Sequence, residues 1–421
     1  MTYEACLAYI HGRPRFSSRR TDLSKVERLL ERLGSPHRQG RFVHVTGTNG
    51  KGSACAFVAS ALQQAGYRTG LFTSPYLVRF EERFQVNRRP IAPDELAEIV
   101  TRVRAAEDQL EAEGYDGATE FEIVTAVGFC YFASRHCDYV VLEVGIGGRL
   151  DCTNVIGTPA CACIMPVSFD HMKTLGGTLA EIAAEKAGII KPGGRVVVSD
   201  GQPDEAMAVF RAVCAERGAQ LIEAAQLPVA KLHMTRQGSE CTIGGLPLHI
   251  PLLGRHQVTN AAAAVAVCRA LGLPDETIAA GICRTDWPGR LQYLPGCPDL
   301  LLDAGHNPAG VATLLDTLDT LFPGVPVRVV MGMMHDKATG VCIPAMAKRA
   351  VQLYACAVDW PRAMHPDELA QVAAPFCPAA VCTSVRDALA RARAEAGPGE
   401  LVVVCGSVYL VGDVLGILES E

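Results

Sequence analysis

The sequence predicts an α/β protein of two domains: a larger N-terminal one on a mainly parallel sheet, and a smaller, Rossmann-like α/β one after it. Three observations predict it. The apolar run Arg41-Phe42-Val43-His44-Val45 passes through a glycine-rich stretch into an alanine-rich helical pattern over 54–64. Further apolar runs then alternate with helical patterns, as strands of a parallel sheet do when helices cross between them. Finally, Asp286-Trp287-Pro288-Gly289 and Pro295-Gly296-Cys297-Pro298 break the chain, and the alternation restarts with strands expected over 300–304, 325–331, 350–355 and 401–405. The expected domains are residues 1–293 and 294–421.

Composition narrows the function classes. A chain of 421 residues supplies two or three domain cores. A formal charge of −6 leaves no basic surface for nucleic acid. No apolar run reaches bilayer length, and the start, Met1-Thr2-Tyr3-Glu4-Ala5-Cys6, lacks the basic and apolar regions of a secretory signal, so a cytoplasmic protein without membrane partners is expected. The 17 cysteines include no Cys-x-x-Cys pair. They read as small buried side chains in a reducing compartment, with Cys161 and Cys163 on one face of a strand.

Residues 1–40 form a lead-in with one helix expected over 23–33, too short for a separate domain. Next comes Thr46-Gly47-Thr48-Asn49-Gly50-Lys51-Gly52-Ser53 between strand and helix. Glycines let backbone N–H groups close on phosphate oxygens, and a helix start adds unpaired donors and a positive dipole end. Lys51 is placed to neutralise the β/γ-phosphates, and the Ser53 hydroxyl to face a Mg2+ ion. Gly47, Thr48, Asn49, Gly50, Lys51, Gly52 and Ser53 are therefore candidate ATP-binding residues, and the first domain is expected to be a P-loop ATPase domain. The spacing departs from Gly-x4-Gly-Lys-Ser/Thr, because Gly52 intrudes before Ser53 and Gly47 stands only three positions before Gly50. A plain glycine turn is the bland alternative, but strand, loop, lysine, hydroxyl and helix fall in the required order.

A strand over 69–73 ends in Thr73-Ser74-Pro75-Tyr76, where Ser74 is either a turn former or a metal ligand. Residues 93–114 read as a solvated, charged helix, and Thr119-Glu120-Phe121-Glu122 opens a more apolar one. Tyr139-Val140-Val141-Leu142-Glu143-Val144-Gly145-Ile146-Gly147-Gly148 carries one acid near the end of an apolar strand. A buried acid there is costly unless paired or bound to metal, and ligands gather at the carboxyl ends of parallel strands, which makes Glu143 a candidate Mg2+ ligand. His171 follows the next strand, 161–167, and is a weaker metal candidate, since Mg2+ prefers oxygen. Lys186 alone reads as an ordinary helix lysine, Asn260 as a possible N-cap, and Phe121 as core packing. Arg290 has the planar fork that suits phosphate.

The ordered motifs resemble the ATP-dependent Mur ligases, and within them the folylpolyglutamate synthases that in bacteria often act as dihydrofolate synthases too. The resemblance spans about residue 20 to near the C-terminus. It is carried by Thr46–Ser53, Ser74-Pro75, Asp151-Cys152-Thr153-Asn154, Glu185-Lys186-Ala187-Gly188-Ile189, Asp303-Ala304-Gly305-His306-Asn307-Pro308, Met334-His335-Asp336-Lys337 and Cys405-Gly406-Ser407. It implies ATP contacts at Asn260, Arg290 and Asp303, and metal ligation by Ser53, Ser74, Glu143 and His171 for two Mg2+ ions. It implies a folate site beside Phe121, Asp151 and Thr153, a carbamylated Lys186, and His306 near the reacting end. Residues 79–87 resemble a mobile loop over the active site. Tyr76 departs from the family, which usually has His there.

The implied reaction is amide ligation: ATP phosphorylates a pteroate or folate carboxylate, and L-glutamate displaces the phosphate. A monomer is implied. A Mur ligase acting on a UDP-muramoyl precursor is the nearest alternative, disfavoured by the short lead-in. An ATP-driven conformational switch is the alternative from another class, and it has no need of Glu143, His171 and the Asp303–His306 cluster.

Overall fold

The structure, a computed structural model, describes residues 1–14 and 22–421. Two strand systems build the first part of the chain. One sheet holds β1 (Arg41–Thr46), β2 (Thr69–Phe72), β3 (Phe84–Val86), β4 (Arg89–Pro90), β5 (Tyr139–Glu143), β6 (Cys161–Ile164), β7 (Arg195–Val198) and β8 (Gln220–Glu223). Its spatial order is β4-β3-β2-β5-β1-β6-β7-β8. Six strands from β2 to β8 run parallel, and β3 and β4 append an antiparallel edge. A separate antiparallel sheet follows, made of β9 (Val229–Thr235), β10 (Gly238–Ile243) and β11 (Leu246–Ile250).

Strand periodicity divides the first sheet between two faces. Val43, Val45, Cys161 and Cys163 pack on the helices Lys51–Gln64 and Arg255–Ala270. Phe42, Phe72, Val140 and Leu142 face the helices Pro93–Ala112 and Glu120–Ser134, and Ile164 and Val196 face Leu179–Ala187 and Asp204–Arg217. The two cysteines expected on one strand face do lie together in the core. All 17 cysteines are free thiols, and only Cys283 and Cys297 are exposed.

The second α/β unit has β12 (Gln292–Leu294), β13 (Asp299–Asp303), β14 (Val327–Met331), β15 (Ala350–Ala355), β16 (Ala379–Val381) and β17 (Leu401–Cys405), in the order β12-β13-β17-β14-β15-β16. Only β12 runs antiparallel. Its strands also bury both faces, Val329 and Val403 toward one and Val330 and Val404 toward the other. The fold class read from the sequence is the one observed. Among the described residues, no helix is long and apolar enough to cross a membrane.

Three local readings differ. The lead-in holds a second helix, Tyr3–His11, capped by Thr2 and packed with Ser24–Arg32 into the first domain's core. Residues 79–87, expected as a loop, include a 3-10 turn, Phe80–Arg83, followed by β3, because Phe84 enters the aromatic core beside Phe72. Asn260 lies inside the helix Arg255–Ala270 rather than at its start, so it caps nothing.

One packing contact fixes the phosphate-loop helix. Gly281, in the helix Asp275–Cys283, sits so close to Ala61 that a Cβ would stand 2.4 Å from the Ala61 Cα, and the Ser60 hydroxyl donates to the Gly281 carbonyl at 2.6 Å. Gly281→Ala gains about 0.5–1 kcal/mol of helix propensity. It costs about 1–3 kcal/mol of overpacking against backbone that cannot rotate away. We expect a net loss of stability, read as a lower midpoint in denaturant. An unchanged or higher midpoint would show that the two helices can separate freely.

Candidate active site

Four neighbouring parallel strands, β2, β5, β1 and β6, deliver their carboxyl ends to one edge, where ligands bind in open α/β sheets. The phosphate loop leaves β1 there. Gly47 adopts φ +150° against Met165, where a Cβ would meet the Met165 Cβ at 2.5 Å. Thr48 ties the loop to the end of β6: its N–H donates to Pro166 O at 2.9 Å, and its hydroxyl bonds both the Ser168 carbonyl and the Ser168 N–H at 3.1 Å. Gly50, at φ +84°, begins the helix, and any Cβ there would strike the Asn260 Oδ1 at 2.4 Å. Asn260 is thus placed directly under the loop. Its amide donates to Gln257 Oε1 at 3.0 Å, and Gln257 donates to the Ser53 hydroxyl at 3.2 Å. The Lys51 ammonium folds back on the Thr48 carbonyl at 3.2 Å, and Trp287 lies flush against Gly52.

Glu143 stands beside Val45 in the parallel register. It is buried, and its Oε2 accepts the Ser74 N–H at 3.1 Å. Burial pushes its carboxyl up, against the lowering fields of Lys51, Arg290 and Arg83. Lys186 is 2% exposed, and its Nζ donates to the Gly47 carbonyl at 2.8 Å. Desolvation, then the nearby Lys51, pulls it down to about 7. Its placement beneath the phosphate loop is what no helix periodicity displays.

The loop after β5 closes on Asp151. That carboxylate takes the Ile146 N–H at 3.0 Å on Oδ2, and the Thr153 N–H and hydroxyl at 3.0 and 2.6 Å on Oδ1. The Thr153 hydroxyl spends its proton on Asp151, so it accepts from His44 Nε2 at 2.8 Å. With 0% exposure Thr153 braces this loop from behind, and Phe121 lies against Gly145 on the open side. Phe121 rides on the first turn of Glu120–Ser134, which Thr119 and Glu122 close as a capping box.

From the second domain, Asp303 ends β13 buried, accepting N–H groups from Leu291 at 3.3 Å and Gly305 at 3.1 Å. Burial raises its carboxyl, opposed chiefly by Arg290. His306 fixes Nδ1 on the Ala304 carbonyl at 3.0 Å, leaving Nε2 3.8 Å from Asp170. Asn307 caps the helix Pro308–Leu321 through Gly310, and its amide exchanges bonds with Asn49 of the phosphate loop at 3.0 and 3.3 Å. Asp170 is the hub: the Lys337 ammonium donates to it at 2.9 Å and Asn307 at 3.4 Å. Despite desolvation, the hydrogen bond with His306 and the charge and hydrogen bond of Lys337 hold its carboxyl well below the usual range. His171 follows at φ +50° with an exposed side chain, its imidazole lowered to about 4 by desolvation and then by Lys337 and Lys51, and so held neutral.

The Mur ligase middle domain matches residues 45–268, and the Mur ligase glutamate ligase domain matches residues 289–408. A dihydrofolate synthase/folylpolyglutamate synthase of Bacillus subtilis is 35% identical, over 98% of this chain and 98% of its own. The chain belongs to the dihydrofolate synthase/folylpolyglutamate synthase family of Mur ligases. Two solved members share its fold throughout. The Mycobacterium tuberculosis folylpolyglutamate synthase complexed with ADP has a TM-score of 0.93 at 28% identity, covering 100% of this chain and 98% of that one. Escherichia coli FolC in complex with DHPP and ADP has a TM-score of 0.87 at 28% identity, with the same coverage.

Set in this family fold, Gly47 to Ser53, Ser74, Glu143, Lys186 and Asn260 converge at the carboxyl edge of the first sheet, and Asp303 and His306 face them from the second domain. Trp287, Asp170, Asn307 and Lys337 entered the sequence reading only as members of quoted segments, and neither they nor Gln257 were given a role there. Asp170 and Asn307 stand in polar clusters just past strand ends, a signal that marks the segment but not the partner each residue finds. Gln257 and Trp287 carry no local signal.

Proposed function

We propose that this cleft joins L-glutamate to the carboxylate of dihydropteroate, of a reduced folate, or of both, at the expense of ATP. One observation carries the reading: the reciprocal Asn49–Asn307 amide pair sets the phosphate loop and the Asp303–Asn307 cluster against each other in a single cleft. Phosphate-binding and second-substrate groups that share a cleft suit a ligase; a switch needs only the first set.

In this reading Gly47 to Ser53 cradle the triphosphate, with Lys51 and Arg290 neutralising it and Asn260 and Asp303 fixing the nucleotide. The acceptor carboxylate attacks the γ-phosphorus, ADP leaves, and an acyl phosphate forms. The glutamate amine then attacks the acyl carbon, phosphate departs and the amine proton is lost, with His306 beside the reacting end. Phe121 and the Asp151–Thr153 loop shape the folate wall. Closure of the two domains excludes water from the acyl phosphate. In the same reading Lys186, whose amine burial and the Lys51 charge bring down to about 7, takes up CO2 as a carbamate.

Among the described residues no three His, Cys, Asp or Glu side chains cluster as a self-sufficient metal site. That fits Mg2+, which keeps waters and substrate phosphates as ligands and asks few from the protein. Glu143 fits too, since its Oε1 has no hydrogen bond from the described residues and a cation would relieve its burial. Ser53, Ser74, Glu143 and the neutral His171 would hold two Mg2+ ions, which when bound neutralise charge on the transferring phosphoryl group.

The test is ADP release from Mg-ATP and glutamate, with dihydropteroate and with tetrahydrofolate in parallel. Turnover with both makes the enzyme bifunctional; with one alone, it defines which ligase it is. No turnover with either, from protein that still binds ATP, would overturn the folate assignment in favour of a UDP-muramoyl acceptor.

A further inference from the structure

Arg83 is a buried cation with no counter-ion in contact among the described residues. It ends the 3-10 turn Phe80–Arg83, is 8% exposed, and its Nε has no hydrogen-bond partner among the described residues. Its guanidinium lies over two rings, 5.1 Å from the centre of Tyr76 and 5.4 Å from that of Phe80. The Glu120 and Glu143 carboxylates act on it only through space. A buried charge left this way is costly, and stacking on aromatic faces offsets only part of the cost.

Its position suggests what it awaits. The Arg83 carbonyl accepts the Thr73 N–H at 3.2 Å, which holds the turn beside Ser74 and hence beside Glu143. Leu77 of the same loop is seated between Gly289 and Gly412, so the turn is wedged against the second domain, whose Tyr409 also acts on Arg83. Phe80 belongs to a buried aromatic cluster with Phe84 and Phe72, at 5.9 and 5.8 Å, and that cluster meets the half-buried Phe121 at 6.2 Å, so the turn and the Phe121 wall share one packed core. Lys51, Arg290 and Arg83 all bear on Glu143, and the triphosphate accounts for only the first two.

We propose that Arg83 receives the terminal carboxylate of the acceptor substrate, an aromatic acid whose ring system lies along the Phe121 wall and whose carboxylate pairs with the guanidinium fork. This rests on the ligase reading above. It makes Arg83 a binding and orienting residue for the carboxylate to be activated, and gives Tyr76 the task of supporting that cation from below.

The experiment compares wild type, Arg83→Lys and Arg83→Met by KM for each of the three substrates, by direct binding of dihydropteroate or tetrahydrofolate, and by thermal melting. Arg83→Met is expected to raise the acceptor KM and dissociation constant at least about ten-fold. Its KM for ATP and for glutamate should stay within about two-fold, and its melting temperature should not fall, because an unpaired buried charge has been removed. Arg83→Lys should recover part of the loss. Wild type should prefer the acceptor over its carboxamide analogue as a ligand, and Arg83→Met should not distinguish them. A rise confined to the glutamate KM would assign Arg83 to the other carboxylic substrate and overturn the proposal. An unchanged acceptor constant would do so too, as would failure of both variants to fold, which would mark a structural residue. If wild type binds and turns over neither folate, the ligase reading itself falls, whatever the variants do.

Discussion

Lys51→Met is expected to slow ATP-dependent ligation by about a thousand-fold, the upper range for removing one preorganised charge from a transferring group. The side chain is half-buried and its only bond among the described residues is to the Thr48 carbonyl, so the fold loses little. What is lost is field. Lys51 is the largest influence lowering the Glu143 carboxyl, and after desolvation the largest lowering Lys186. Without it Glu143 binds a proton more readily, Lys186 becomes more basic, and the γ-phosphate meets no ammonium. The rate of ADP release beside the melting temperature reads this out. A rate within ten-fold of wild type would remove Lys51 from the machinery.

The second large effect is a dependence on pH and on carbon dioxide, acting through Lys186. Only the neutral amine attacks CO2. An ordinary lysine is almost wholly charged at neutrality, but burial and the Lys51 field bring this one to about 7. The direction follows: below pH 7 the amine is protonated and its reactive fraction falls about ten-fold per unit, while above pH 7 it is neutral and available. Activity in bicarbonate should therefore climb with pH through about 7. Lys186→Arg, which cannot form a carbamate, should lose at least about a hundred-fold. Protein equilibrated with 13C-bicarbonate should show one carbamate carbon signal that the variant lacks. In Lys51→Met the climb should move to higher pH. A flat profile from pH 6 to 8 with no such signal would exclude the modification.

The phosphate loop, the β5 acid and the restart of strand–helix alternation were legible because each is a local pattern: a run, a spacing, a polar residue at a strand's end. Lys186 was not legible from periodicity, since its burial arises from where Leu179–Ala187 lands against Gly47, far off in the chain. Asn260 offered a cap as readily as a contact, and only the approach of Gly50 decides between them. The Asp170–Lys337 and Asn49–Asn307 pairs join segments from separate domains, and no window on the sequence contains both partners. The ordered turn and β3 within 79–87 were hidden for a similar reason. Phe84 is an ordinary aromatic until Phe72 is beside it.

The distribution of the cysteines has a practical consequence. Of seventeen thiols, the two that reach solvent are Cys283, at the end of a helix packed on the phosphate-loop helix, and Cys297, in the turn between β12 and β13. One marks each half of the molecule. A donor and an acceptor dye attached there, with no residue changed, would turn domain closure into a change of energy-transfer efficiency, so that each substrate's contribution to closing the cleft could be followed in real time.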